Sequence, residues 1–425
     1  MSGEWRVAAV GDAIVGTRIS QYDHPGDSRF AALSALVRDA DVASVNLETS
    51  LFDLGSFRGW PAAERGGSYL LGPPAVADDL AAMGFDLFAR ANNHAGDWGI
   101  EGLIATSAVL DARGLSHSGV GMNLSQAARP TYIDAPQGRV AMVSFTTTFP
   151  TSSKAAAQRS DIVGRPGCNG ITVERQLRLP PDTFSLLTGV LDSHGDPQLF
   201  KKAGLPLTEG DEPGVVESLK ASDVERVLGE IEKAAAFADL VLVNGHTHEP
   251  ANHVTEPPPW LEDLARRCIE AGAHAFLGHG PHQLRGMEIH LDRPIFYSLG
   301  NFVFHREVQD PQPAEQYEVF GLDPSGAAPH HYLAARDASR HLLSMTGPVY
   351  YESVVAMLTF RDGRFSGVSL HPIELAREAA PGSRGTPRLA PVEHGEEILA
   401  RLAGLSKAYG LDMTVEEGIG HWQAE

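Results

Sequence analysis

The sequence predicts an α/β protein, and three observations carry that prediction. Short apolar runs of strand length recur along the chain, each closed by Gly, Asp, Asn or His. Stretches with apolar residues at helical spacing separate them, the alternation expected when helices cover a largely parallel sheet. The third observation is histidine: several of the polar residues that close the runs are His, and they sit beside Asp, Asn and Glu.

In order, residues 5–10 (WRVAAV) read as a buried strand ending in a turn at Gly11-Asp12. Residues 29–40 have helical spacing, and 41–52 (DVASVNLETSLF) begin as a second buried strand that delivers Asn46 and Glu48 near its end. Residues 75–99 read as helix, strand and loop, the loop holding Asn92-Asn93-His94 and Asp97. Residues 100–123 repeat the pattern with a helix stopped by Gly114, and 139–147 form another strand. A helix over 222–238, with Ser222 as N-cap, leads into the strand 239–245. A helix near 259–271, a short strand at 273–278 and a further run at 293–304 follow. Arg361-Asp362-Gly363 marks a hairpin between two strands within 350–375, and a structural helix lies around 394–409.

The chain is read as a single domain, 1–425, with two long insertions on the loop side of the sheet, at about 148–222 and 305–348. Both are rich in turn residues and weak in periodicity, the composition of a lid or substrate wall. Phe184, Phe200, Tyr317, Phe320 and Tyr332 are their candidate wall aromatics.

Composition narrows the function. With 34 basic and 54 acidic residues the net charge is −20, which repels a phosphate backbone, so nucleic acid is not expected as a partner. No run of about 18 apolar residues occurs, so no membrane partner is expected. The first residues lack a basic-then-apolar leader pattern, and a cytoplasmic protein is expected. Cys168 and Cys268 form no CxxC pair and suggest neither a disulfide framework nor a thiolate metal site.

Strand ends in an open α/β sheet converge on one crevice, so Asp12, Asn46, Glu48, Asn92, Asn93, His94, Asp97, His246, His248, Glu249, His279 and His282 can meet there. A lone Asp after a strand is most often a cap or turn former. Five strand ends supplying such residues together point to a mixed oxygen and nitrogen ligand set, suited to Mn, Fe or Zn. A carboxylate in the middle of the set can bridge two cations about 3.5–4 Å apart.

The motifs GDAIVG, VNLETSLF, ANNHAGDWG, GHGPHQLRGMEI and RPIFYSLGNFVF resemble those of CapA-like proteins, named for poly-γ-glutamate capsule biosynthesis. The resemblance covers roughly residues 5–147 and 239–304. It implies the calcineurin-like metallophosphoesterase fold, a four-layer α/β/β/α sandwich with a dinuclear site. It implies Asp12, Glu48, Asn93, His246, His279 and His282 as metal ligands, with Glu48 bridging, and His94 as an acid/base or substrate-contacting residue. The cofactor expected is one or two divalent ions, with Mn, Fe, Zn, Mg and Ca all open. Three departures stand out. Ile14 occupies the histidine position of the superfamily's Asp-x-His, His246-Thr247-His248 replaces HWG, and Gly280 replaces a histidine of GHHPH.

The fold's default reaction is phosphoester hydrolysis by a metal-activated water. CapA-like chains without a leader or anchor also resemble the epimerases that install a D-amino acid in ribosomally made lasso peptides. That implies a peptide substrate whose α-proton is exchanged by an acid/base pair while a metal stabilises the enolate. The candidates for the pair are His94, His248 and His305. The best-supported expectation is peptide epimerisation. The alternatives are a dinuclear phosphoesterase and an accessory protein of poly-γ-glutamate synthesis, including one whose site has decayed.

Overall fold

The opening strand β1, Glu4–Ile14, alternates between two hydrophobic cores. Trp5, Val7 and Ala9 join one cluster, and Ala8, Val10 and Ala13 the other. A strand covered on both faces has to be apolar on both, and for that reason Val7–Val10 is a continuous apolar run, while Arg6 before it reaches out to Asp39. The computed structural model describes residues 3–20, 28–62, 68–339 and 345–423.

β1 lies within a ten-stranded sheet. β2, Val42–Leu47, pairs with it in parallel, and β3, Leu87–Ala89, pairs in parallel with β2. On its other side β1 takes the antiparallel strand Glu352–Arg361 and, near its end, the parallel strand Asn301–Phe304. A six-stranded sheet has β4 (Gly138–Thr146), β5 (Leu240–His246) and β6 (Ala275–His279) as parallel neighbours, with β5 in the middle. The two sheets share the core that contains Trp5, Val7, Met142, Leu240, Leu242 and Leu277. Helices α1, Ser28–Arg38, and α2, Val76–Met83, cover the outer face of the larger sheet through Phe30, Leu33, Val37, Leu80 and Met83. A third helix, α3, spans Gly99–Asp111. Helix α4, Pro259–Glu270, packs on β6 with Leu261, Leu264, Ala265, Cys268 and Ile269 buried. The α/β/β/α order expected of a metallophosphoesterase-like fold is present.

This arrangement fixes where the polar strand ends lie. Asp12 is in register with Asn46 across β1 and β2, and His246 with His279 across β5 and β6. Parallel strands bring their C-terminal ends to one edge, so both pairs reach the same side of the sandwich.

The chain divides into two compact units, Met1–Gly170 with Val227–Glu425, and Ile171–Arg226. The segment 148–222, expected as one insertion, is split by this division. Its first part belongs to the larger unit, and the remainder forms a unit of its own. There, strands Val173–Leu179, Leu207–Glu209 and Gly214–Leu219 make a three-stranded sheet, accompanied by the helix Pro181–His194. Ser222 is not an N-cap: the helix runs Ala221–Phe237, because the turn at Lys220 is already closed by its N–H bond to Thr172 O (2.9 Å).

The segment 305–348 carries the helices Ala314–Val319 and Pro329–Ser339, and 340–344 lie outside the described residues. The hairpin at 361–363 is present, with Asp362 and Gly363 at φ 49° and 78°, the left-handed pair that a tight two-residue turn requires. The C-terminal helix spans Val392–Ser406, and a 3-10 turn extends it to Tyr409. Among the described residues, no helix is long and apolar enough to cross a membrane.

Candidate metal centre

At the shared edge, Asp12 from β1, Glu48 just past β2 and His246 from β5 bring one ligand atom each within 4.8 Å of one another. A second group, Glu48, His248 and His282, does the same, so Glu48 is common to both. Glu48 Oε1 lies 3.6 Å from His246 Nε2 and 4.0 Å from His248 Nε2, and Oε2 lies 4.0 Å from His282 Nδ1. His279 Nδ1 faces Asp12 Oδ1 at 3.3 Å. Asn93 Oδ1 is 2.9 Å from His246 Nε2. The structure thus gathers all six residues expected as ligands, and His248 with them. His248 was expected as an acid/base group; it stands within ligand reach of Glu48. It lies in the loop directly after β5.

Amides, all but Asn252 buried, hold these side chains in place. Asn46 Nδ2 donates to Asp12 Oδ1 (2.8 Å) and sits 3.1 Å from His246 Nδ1. Asn92 Nδ2 donates to Leu47 O (2.9 Å), Asn244 Oδ1 meets His279 Nε2 (2.9 Å), and Asn252 Oδ1 meets His248 Nδ1 (2.7 Å). Such outer partners set ring orientation and tautomer. His282 has φ 60°, a strained conformation for a non-glycine residue, and Asn301 restrains it by facing Nδ1 at 2.9 Å and donating to its carbonyl at 3.1 Å. Gly280 explains one departure noted above. Its φ is 110°, a Cβ there would meet Thr247 O at 2.7 Å, and its N–H donates to Asp12 Oδ2 at 3.0 Å. A histidine does not fit at that position.

Electrostatics supply the test of whether these residues suit a cation. Glu48 is fully buried, and neither carboxylate oxygen has a hydrogen-bond partner. Burial, with Asp12 and Asp97 nearby, pushes its pKa well above the usual carboxylate range. Burial also works against the charge of Asp12, but the imidazoles of His279, His246 and His282 prevail and hold its pKa low. Burial lowers His246 and His282 and brings His248 to about 4, so the rings are neutral and able to ligate at pH 7. An unpartnered buried carboxylate among neutral imidazoles is costly alone and is stabilised by a cation. The residues therefore fit one or two divalent ions.

A cavity of about 290 Å³ adjoins the cluster, lined by Asn93, His94, His248 and His282 together with Ile14, Arg306, Gln309, Arg336 and Met345. His94 is held by Asp97, Nδ1 to Oδ2 at 2.7 Å, which leaves Nε2 at 3.8 Å from Glu48 Oε1. His305 does not line this cavity; its Nε2 turns to Thr386 Oγ1 at 3.1 Å in a buried position, because its backbone follows Ile14 back into the core. Glu249 lies outside the cluster and accepts from Thr147 and Thr148 (3.0 and 2.9 Å), pinning the loop after β4. The aromatics Tyr317, Phe320 and Tyr332 pack on one another, with Tyr332 5.6 Å from each of the other two rings, and do not line the cavity. Phe184 and Phe200 lie in the Ile171–Arg226 unit. Sequence reasoning missed Asn244, Asn252, Asn301, Arg306 and Arg336. Asn244 and Asn252 carried a signal, two residues before one site histidine and four after another.

Residues 6–306 match the family described as bacterial capsule synthesis protein PGA_cap. The uncharacterized protein y4sH of Sinorhizobium fredii is 38% identical over 97% of this chain and 92% of its own length. The capsule biosynthesis protein CapA of Bacillus anthracis is 26% identical over 69% of this chain and 58% of its own. The PGA biosynthesis protein CapA of Bacillus subtilis is 28% identical over 53% and 44%. By the match over 6–306 and the relative 38% identical over nearly the whole chain, the chain belongs to this bacterial capsule synthesis family.

Proposed function

We propose that the chain is a divalent-metal-dependent enzyme that inverts an amino-acid α-carbon in a peptide substrate. The observation that carries this reading is the cavity itself, where an imidazole oriented by a buried carboxylate, His94 with Asp97, shares a wall with the metal-ligating groups. A cation held by Asp12, Glu48 and His246, and a second held by Glu48, His248 and His282, would stabilise negative charge on a substrate oxygen.

Asp97 accepts from His94 Nδ1 and fixes the ring, so Nε2 is the nitrogen that takes or returns a proton. In the step, the Cα–H bond breaks, its proton moves to Nε2, and the electron pair delocalises onto the neighbouring carbonyl. Return of a proton from water to the opposite face inverts the centre; His248, placed among the ligands of the second cation, lines the same cavity and relays that proton only when it holds no cation. The buried setting keeps His248 neutral near pH 7, with a pKa of about 4.

A second reading, phosphoester hydrolysis, is favoured by the fold and by the two guanidinium groups of the cavity, which suit phosphate as well as carboxylate. The relatives named for capsule and PGA biosynthesis support a third setting, in which the peptide is a glutamate polymer.

The test is one reaction in D₂O with purified protein, Mn²⁺, a panel of peptides with free C-termini and a generic phosphodiester, read by mass spectrometry. Deuterium at an α-carbon without bond cleavage is the expected result. Phosphodiester cleavage with unlabelled peptides would replace the proposal with the hydrolase reading.

A further inference from the structure

Among the described residues, the cavity's lining holds two guanidinium groups, Arg306 and Arg336, and no carboxylate, in a chain of net charge −20. Both arginines are buried, at 6% and 8% exposure. Arg306 is partly neutralised: it pairs with Asp337 and lies 3.7 Å from Glu307, which is itself shared with Arg384 at 3.4 Å. Its Nε is nevertheless buried with no hydrogen-bond partner. Arg336 donates to Ser68 Oγ and lies over the Tyr332 ring at 5.6 Å, and it forms no ion pair among the described residues. Burial and the neighbouring Arg306 disfavour its charge and outweigh the support of Tyr332 and of Asp337, which is already paired with Arg306. A desolvated cation without a counter-ion is costly and calls for an anion. A planar guanidinium fork is matched in geometry by a carboxylate.

Resting on the reading of this cavity as an active site, we propose that Arg336, with Arg306 beside it, binds a carboxylate of the substrate. A phosphodiester has one anionic group, which in the hydrolase reading the metal-ligating cluster takes, so the arginines could only share it. A peptide supplies a separate carboxylate, from its C-terminus or from an acidic side chain, while an amide or carbonyl oxygen faces the cluster.

The test is calorimetric titration of the full chain, loaded with Mn²⁺, with four probes. These are N-acetyl-Gly-Phe, its C-terminal amide, N-acetyl-Gly-Glu amide (whose only acid is the side chain) and phenyl phosphate. At least one acid should bind about tenfold or more tightly than the phenylalanine amide, as for loss of a charge-assisted hydrogen bond. Which acid binds identifies the source of the carboxylate. Arg336→Gln should abolish the preference with metal content unchanged, and Arg336→Lys should restore part of it. Equal binding of acids and amide, no binding of either acid, or a preference that survives Arg336→Gln would overturn the proposal. Arginine-dependent binding of phenyl phosphate alone would overturn it as well. If Arg336→Gln fails to fold, the acid and amide comparison on the unaltered chain still decides. Failure of the α-carbon reading shows separately, as absent deuterium exchange with the carboxylate preference intact.

Discussion

The strand-end cluster and the 305–348 segment meet in one cavity, but they are built in different ways. Asp12, His246 and His279 are placed by parallel registers, Glu48 follows directly on β2, and buried amides lock their rings and carboxylates. Arg306 and Arg336 come from a segment of two short helices, and Arg306 depends on Asp337 and Glu307 from the same segment. The cluster carries an uncompensated buried carboxylate, whereas the wall largely neutralises its own charge apart from Arg336. The difference teaches that the sheet places the candidate ligands, while the added segment dictates what lies over them. Changes in the first should remove all chemistry, and changes in the second should alter selectivity while metal stays bound.

The largest expected effect follows from Asp12→Ala or Glu48→Ala, each of which should abolish both metal binding and activity. Full activity in either would remove the two-ion reading. His94→Ala should lower turnover by about 10²–10⁴-fold with metal content unchanged, the range for loss of a general acid or base. Elemental analysis checks it, since loss of metal would make His94 a ligand. His248→Gln separates two roles: loss of one ion marks a ligand, while retained ions with α-exchange but no inversion mark the second proton donor.

In the wall, Tyr332 is 2% exposed beneath Arg336, so Tyr332→Ala should cost about 3 kcal/mol of stability without lowering metal content. Denaturant unfolding beside elemental analysis measures both. The last effect is general. Burial brings His274 and His371, both outside the site, to about 4. Below their ordinary value of about 6.5 the unfolded chain takes up protons that the folded chain does not. Stability should therefore be greatest above about pH 6.5 and decline as pH falls toward about 4, read as a falling urea midpoint.

The comparison also explains what was legible in the sequence. Strand ends are visible because apolar runs stop abruptly, and parallel topology turns that one-dimensional list into a cluster. The position at which a chain ends a strand is therefore informative even over separations as long as that from Asp12 to His282. The role of His248 was less legible, since its spacing from His246 does not reveal that its Nε2 comes within 4.0 Å of Glu48 Oε1. His305 showed the limit of proximity in sequence: it follows a site strand yet turns to Thr386. Arg306 and Arg336 were hidden because no periodicity connects them; only the path of 305–339 places both on one cavity. The aromatics of that segment, legible as bulky, serve its own packing.

The decisive measurement is thermal unfolding with elemental analysis of the unaltered chain and Glu48→Gln, each chelator-treated and then Mn²⁺-loaded. Bound ions should raise the melting temperature of the unaltered chain and leave Glu48→Gln unmoved and metal-free, since only a ligand for the folded state stabilises it. Without metal, Glu48→Gln should melt higher than the unaltered chain, because it removes an unpartnered buried carboxylate. A Glu48→Gln chain that binds Mn²⁺ as fully as the unaltered one, with the same rise in melting temperature, would contradict a metal centre built around Glu48.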